Sequence, residues 1–190
     1  MSVPQLNKDN IVEFLANLIT EKGGDSYLGE AVTMQDHMLQ AAWQAENAGE
    51  SDKVIAAALL HDIGHYVGEF GDDYIEKGQD NKHQISGARI LEKFFDSDVV
   101  QPVKLHVDAK RYLCAVDPDY VNTLSDASVK TLALQGGPMN ENEVAEFESQ
   151  PGYETAVQVR KYDDNAKDPN VSTPPISHYL KYVQSALQDG

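Results

Sequence analysis

The chain has 190 residues, 41% of them hydrophobic, enough for one domain with a sizeable core. Its 31 acidic against 15 basic residues leave a formal net charge of −16, which repels nucleic acid and anionic membrane surfaces and argues against both as partners. Cys114 is the only cysteine and the first ten residues lack a basic segment followed by an apolar one. No apolar run approaches the ~20 residues of a spanning helix, so a reduced, cytoplasmic setting is expected.

In chain order the predicted elements are all helices. Ile11, Val12, Leu15, Leu18 and Ile19 recur at three- and four-residue spacing and predict a helix over 11–19, with Asp9 or Asn10 as its N-cap. The same period predicts helices over 31–47, 53–65 and 85–95, the second of which holds the Ala- and Leu-rich run 54–60. Between the last two, a loop over 67–81 rich in Gly, Asp and Glu lies where it can cover a neighbouring site. Further helices are predicted over 99–114, with Pro102 near the start, and over 125–134, 141–148, 153–166 and 177–187. Gly136-Gly137-Pro138 and Pro174-Pro175 separate the last of them. No two-residue alternation, internal repeat or long linker competes, so the expectation is one all-α domain spanning 1–190.

Five of the six histidines, His37, His61, His65, His83 and His106, fall on four of these helices or at their ends. In Leu59-Leu60-His61-Asp62-Ile63-Gly64-His65 two ligand-type side chains end an apolar helix that ought to be buried, and a buried carboxylate needs a partner. A cation meets that need, because imidazole and carboxylate suit iron, zinc or manganese and a carboxylate can bridge two ions. Neighbours on a helix point about 100° apart, so His61 and Asp62 converge only if the site lies at the helix end. A metal-free buried His–Asp pair is the plainer alternative. His61 and His65 also have the i, i+4 spacing of zinc proteases, but Asp62 stands where those enzymes place Glu, and Gly64 weakens the helix.

With His37 upstream and a distal aspartate, the His61-Asp62 doublet resembles the HD-domain superfamily of metal-dependent enzymes, which implies a helical HD-domain bundle with one or two metals. His83 and His106 stand where dinuclear members hold a second ion. The segments 27–30, 57–66, 106–113, 124–128, 134–139 and 160–163 extend the likeness over nearly the whole chain. They are similar to the mixed-valent diiron oxygenases, in particular the glycine-forming 2-amino-1-hydroxyethylphosphonate dioxygenases. The resemblance implies two iron ions, Fe(II)/Fe(III), one held by His37, His61, Asp62 and Asp163, the other by Asp62, His83 and His106. Asp163 is chosen over Asp164 because it follows Arg160 by three residues, as in the family pattern. Tyr27, Glu30 and His65 are implied as catalytic groups, Tyr27 holding a position on the second iron until substrate displaces it. His65, Lys110, Ser128 and Arg160 are implied for a phosphonate and Glu30 for the amino end of the same substrate.

The implied reaction uses O2 to cleave a carbon–phosphorus bond of a small organophosphonate, giving phosphate and glycine, or glycine betaine from an N-trimethyl substrate. The rivals are a dinuclear HD phosphohydrolase acting on a phosphate ester with the same ligands, and a sensor that binds without turnover.

Overall fold

The computed structural model describes residues 5–67 and 80–188, so most of the predicted covering loop, 68–79, lies outside the described residues. The described part is helical, with no strand and two isolated antiparallel bridges, Ser26 with Thr33 and Phe95 with Leu187. Its elements are α1 (Ile11–Lys22), α2 (Met34–Asn47), α3 (Asp52–Leu60), α4 (Gly64–Val67), α5 (His83–Leu91), α6 (Ser97–Val116), a 3-10 turn (Tyr120–Thr123), α7 (Asp126–Leu134), α8 (Glu141–Glu148), α9 (Tyr153–Asn165) and α10 (Ile176–Ser185). Among them no helix is long and apolar enough to cross a membrane.

Where the boundaries differ from the periodic reading, local chemistry accounts for it. Helix α2 starts at Met34, not 31, because Thr33 accepts from the Asp36 N–H and the Asp36 carboxylate returns a bond to the Thr33 N–H, a reciprocal cap. Asn10 does precede α1, but its side chain accepts from the Asn7 N–H and caps none of the helix's own N–H groups, the first of which, Ile11 N–H, bonds Asn7 O instead. Helix α6 starts two residues early, which puts Pro102 inside it; the carbonyl that proline leaves without a donor belongs to exposed Asp98.

The core is built on α3, whose residues 55–60 are all buried. It packs against α2, α6 and α10, while α6 packs chiefly against α9 and also against α5. A smaller apolar cluster of Leu105, Ala109, Met139, Phe147 and Ala156 fastens α8 to the outer side of α6 and α9.

The helix predicted over 53–65 ends at Leu60. From there Ile63 N–H bonds Leu60 O, His65 N–H bonds Asp62 O and Tyr66 N–H bonds Ile63 O, three-residue closures that tighten the turn and change the directions of the side chains at 61 and 62. Gly64 is the hinge of this turn, because a Cβ there would lie 1.8 Å from the His83 carbonyl oxygen and 2.8 Å from the Gly87 nitrogen. The absence of a side chain at 64 lets α4 and α5 meet backbone to backbone.

Gly64→Ala should therefore force α5 away and destabilise the fold by roughly 3 kcal/mol, a fall in melting midpoint of roughly 6–12 °C. Gly87→Ala, whose Cβ would meet only contacts of 3.3 Å and more, should cost clearly less. Thermal unfolding monitored by circular dichroism checks the difference, and equal midpoints would remove the close approach as the reason for Gly64.

Candidate metal centre and substrate cavity

The tightened turn after α3 points both His61 and Asp62 inward, and the other helices close around them. His37 comes from α2, His83 from the first residue of α5, His106 from the middle of α6 and Asp163 from the last turn of α9. All six side chains are buried. Around Asp62 Oδ2 lie His37 Nε2 at 3.4 Å and His61 Nε2 at 3.5 Å, and Asp163 Oδ1 lies 3.4 Å from the same His37 nitrogen. Around Asp62 Oδ1 lie His83 Nε2 at 3.2 Å and His106 Nε2 at 3.5 Å. One carboxylate thus divides its two oxygens between two groups, His37 with His61 and His83 with His106, each drawn within 4.8 Å.

The hydrogen bonds on the far sides of the rings decide what these groups need. Each of the four imidazoles is tied through Nδ1 to an acceptor: His37 to Ala166 O at 2.9 Å, His61 to Ala58 O and His106 to Val103 O at 2.7 Å, and His83 to the Asn81 side-chain oxygen at 2.8 Å. An Nδ1 that donates leaves Nε2 with its lone pair in the neutral ring. Yet the Nε2 atoms face each other at 3.0 Å, His37 to His61 and His83 to His106. Two lone pairs at that distance repel unless a cation or a proton lies between them. Asp62 Oδ2 and Asp163 Oδ1 are buried with no hydrogen-bond donor, a costly condition without a cation. Ligands about 2.1 Å from one ion and about 90° apart would be ~3.0 Å from each other, so the spacing suits two metal ions. The tethers to backbone and Asn81 orient the rings as supports of metal-bound histidines do.

Electrostatics agree. Burial works against ionising Asp62 and Asp163, but His61 and His65 beside the first and Arg160 beside the second outweigh it and hold both carboxyls well below the usual carboxylate range. Burial likewise opposes a charge on His37, yet its contacts with Asp163 and Asp62 raise it to about 9, so in the absence of metal this ring takes up the proton that a cation would displace. His83, pushed down to about 3 by burial and the neighbouring His65, stays neutral.

The remaining sequence-chosen residues line one cavity above these groups: Tyr27, Glu30, His65, Lys110, Ser128 and Arg160. Tyr27 and Glu30 are the ends of a tight turn closed by Glu30 N–H to Tyr27 O, with Leu28 and Gly29 both at positive φ. The Tyr27 ring stacks on His37 with centroids 3.8 Å apart, and burial together with the charges of Asp62 and Asp163 holds its phenol well above its ordinary pKa. His65 stacks on His83 and lies 3.8 Å from Asp62 Oδ1. The Asn81 amide NH2 donates to its Nδ1 at 3.1 Å, which leaves the proton on Nε2, directed at Asp62. Lys110, one turn after His106 on α6, donates to Thr131 Oγ1 at 2.8 Å and to Ser128 O at 3.5 Å. Burial, with the Arg160 charge adding to it, brings its ammonium down to about 7.

Arg160 lines the same cavity and is also engaged within the protein. It donates to Asp163 Oδ2 at 2.7 Å and grips Asp164 through Nε and Nη2, while the Tyr120 hydroxyl also donates to Asp164. Here Arg160 turns Asp163 Oδ1 toward His37, and Asp164 faces away from the histidines. Asp164 with Tyr120, Asn81, Lys167 and Gln135 are the site residues that sequence reasoning missed. Only Asp164 had a signal, its i+4 spacing from Arg160.

Comparison with known proteins is consistent with this geometry. Residues 34–139 match the HD domain family, and the chain belongs to that family. Its similarity extends beyond the match. It is 47% identical over 182 residues, covering 96% of this chain and 93% of the relative, to the [1-hydroxy-2-(trimethylamino)ethyl]phosphonate dioxygenase (glycine-betaine-forming) of Leisingera caerulea. It is 43% identical over 166 residues, 87% of this chain and 83% of the relative, to the hydroxymethylphosphonate dioxygenase of Gimesia maris.

The shared carboxylate makes a differential prediction. Asp62→Ala should abolish tight binding of both ions, whereas His83→Ala should retain about one ion per chain. Titration with Fe(II) under anaerobic conditions, followed by metal analysis, measures this; full stoichiometry in Asp62→Ala would remove the bridge. A second prediction concerns Lys110, whose folded pKa of about 7 lies below its ordinary 10.5. Between those values the unfolded chain binds the extra proton, so the cost of burying this lysine is full below about pH 7 and is relieved as pH rises. An anion in the cavity should restore the proton, so methylphosphonate binding at about pH 8 should take up as much as ~1 proton. Calorimetry in buffers of different ionisation enthalpy should show that uptake, and Lys110→Met should lose it.

Proposed function

We propose that the chain is a diiron oxygenase that uses O2 to cleave the carbon–phosphorus bond of a 1-hydroxyphosphonate with a cationic amino end. The observation that supports it most is the shared cavity: a carboxylate-bridged pair of histidine groups lies beneath a buried lysine, and two relatives similar over most of the chain are named as phosphonate dioxygenases. His37, His61, Asp62 and Asp163 would hold one iron, and Asp62, His83 and His106 the other. A mixed-valent Fe(II)/Fe(III) pair would supply electrons and open positions for oxygen and substrate.

The chain's own residues do the rest. Lys110 and the Ser128 region bind the phosphonate, the ammonium giving the charge that an anion needs in an otherwise acidic protein. Tyr27, stacked over His37, closes the cavity to water until a substrate moves it aside. His65, its Nε2 proton directed at Asp62, can donate to a substrate oxygen beside the bridge. At the other end, Glu30 Oε1 and Gln135 Oε1 line the same cavity and are buried with no donor. A primary ammonium offers three N–H groups to such acceptors, whereas a trimethylammonium offers none. The favoured substrate is therefore a 2-amino-1-hydroxyethylphosphonate, and with one O2 it yields glycine and phosphate, both oxygen atoms entering the products.

The test loads the protein with Fe(II) without oxygen, adds (1-hydroxy-2-aminoethyl)phosphonate or its N-trimethyl analogue, then admits O2. We expect phosphate and glycine only after oxygen, one phosphate per O2 consumed, with the higher kcat/KM for the primary amine. Phosphate released without oxygen would overturn the oxygenase reading, and release from a phosphate ester but from neither phosphonate would replace it by a dinuclear phosphohydrolase. A higher kcat/KM for the trimethyl compound would overturn the amino-end assignment and leave C–P cleavage standing.

A further inference from the structure

Two cations, Lys110 and Arg160, line the cavity and a third, Lys167, reaches its wall at Ser128, and the three differ in what balances them. Arg160 is neutralised by Asp163 and Asp164. Lys110 has only neutral partners, Thr131 Oγ1 and Ser128 O. Lys167 likewise bonds only hydroxyls, Ser128 Oγ at 3.0 Å and Ser125 Oγ at 3.4 Å, and its ammonium lies 5.9 Å from the centre of the Tyr27 ring. Neither lysine has an ion pair among the described residues, although acidic residues outnumber basic ones two to one in this chain.

The position of Lys167 is not left to a flexible tail. Ala166 before it accepts from His37 Nδ1, and Asp168 after it is held twice by the Gln40 side chain, N–H to Oε1 at 3.1 Å and O from Nε2 at 2.9 Å. Both ties run to α2, the helix that provides His37. A lysine just past the end of α9 could simply complement the helix dipole, but that role does not require its backbone to be fixed on both sides or its ammonium to reach Ser128. Two lysines meeting at one serine, neither hydrogen-bonded to a carboxylate, disfavour each other's charge, and a bound anion would restore it on both.

We propose that Lys167 is the second ammonium of the phosphonate subsite, acting with Lys110 on Ser128's two sides so that the pocket selects a tetrahedral dianion over a monoanion. This rests on the reading of the cavity as a phosphonate site. The two lysines supply the charge, and Ser128, released from Lys167, offers its hydroxyl to the same oxygens. Arg160 keeps its hold on Asp163 and Asp164.

The probes are methylphosphonate, a dianion at about pH 8, and its near-isostere methanesulfonate, a monoanion, each titrated into iron-loaded protein by calorimetry. Wild type should prefer methylphosphonate. Lys167→Gln should weaken methylphosphonate at least about tenfold and methanesulfonate distinctly less, so that the preference shrinks. Lys167→Arg should restore most of it, and iron content should stay at the wild-type level in both variants. A role confined to capping α9 would lower the melting midpoint and leave the preference between the two anions unchanged, and that result overturns the proposal. If Lys110→Gln loses methylphosphonate while Lys167→Gln does not, the phosphonate site stands and Lys167 has no part in it. If wild type itself binds neither anion, the phosphonate reading fails and this inference with it.

Discussion

The carboxylate of Asp62 is the constraint on which the site depends. It is buried and ionised, its two oxygens lie among imidazoles, and Oδ2 has no hydrogen-bond donor. A carboxylate in that position is tolerable only with compensating positive charge. The backbone is organised to bring it there: α3 stops after Leu60, the turn tightens, and Gly64 lets α4 press against the first residue of α5. His83, that first residue, thereby comes within 3.2 Å of Asp62 from a different helix. The apolar face of α3 and the ligand doublet at its end are thus parts of one arrangement, the first fixing the depth of the second.

Charge at this site is arranged in two layers. Beneath, the carboxylates of Asp62 and Asp163 call for metal cations. Above, Lys110 and Lys167 call for an anion. Arg160 lies between the layers and couples them, because the N–H that holds Asp163 Oδ2 also sets the direction of Asp163 Oδ1, while Asp164 and Tyr120 hold the guanidinium from behind. The net charge of −16 opposes anions over most of the surface, and two neighbouring lysines hydrogen-bonded only to neutral groups are a local exception to it.

Much of this was legible in the sequence, for reasons that differ by element. The start of helix α8 was readable because Asn140 and Glu143 form a local capping box. The overrun of the 53–65 prediction has the opposite cause: Ile63 keeps the apolar period going, and nothing nearby announces that Gly64 must face the His83 backbone. Residue type and spacing were enough to single out the histidines and Asp62, and the family likeness to choose Asp163, Tyr27 and Glu30. Asn81, Gln135, Lys167 and the Tyr120–Asp164 pair escaped because their meaning is tertiary. An Asn in a loop acquires a role only when its amide spans two histidines 16 and 2 positions away.

The Asn81 bridge also shows how the second group of ligands is prepared for a metal. In the first, His37 can be protonated, and that proton partly balances the two carboxylates. In the second, the Asn81 oxygen fixes the His83 Nδ1 as a donor, Val103 O does the same for His106, and burial keeps His83 neutral. Both Nε2 lone pairs then face each other at 3.0 Å with Asp62 Oδ1 beside them. A cation accepting both lone pairs and the carboxylate oxygen relieves that contact. The same amide bridge directs the His65 proton toward Asp62, so one loop side chain prepares a metal position and a donor at once, on the side of the bridge that faces the substrate cavity.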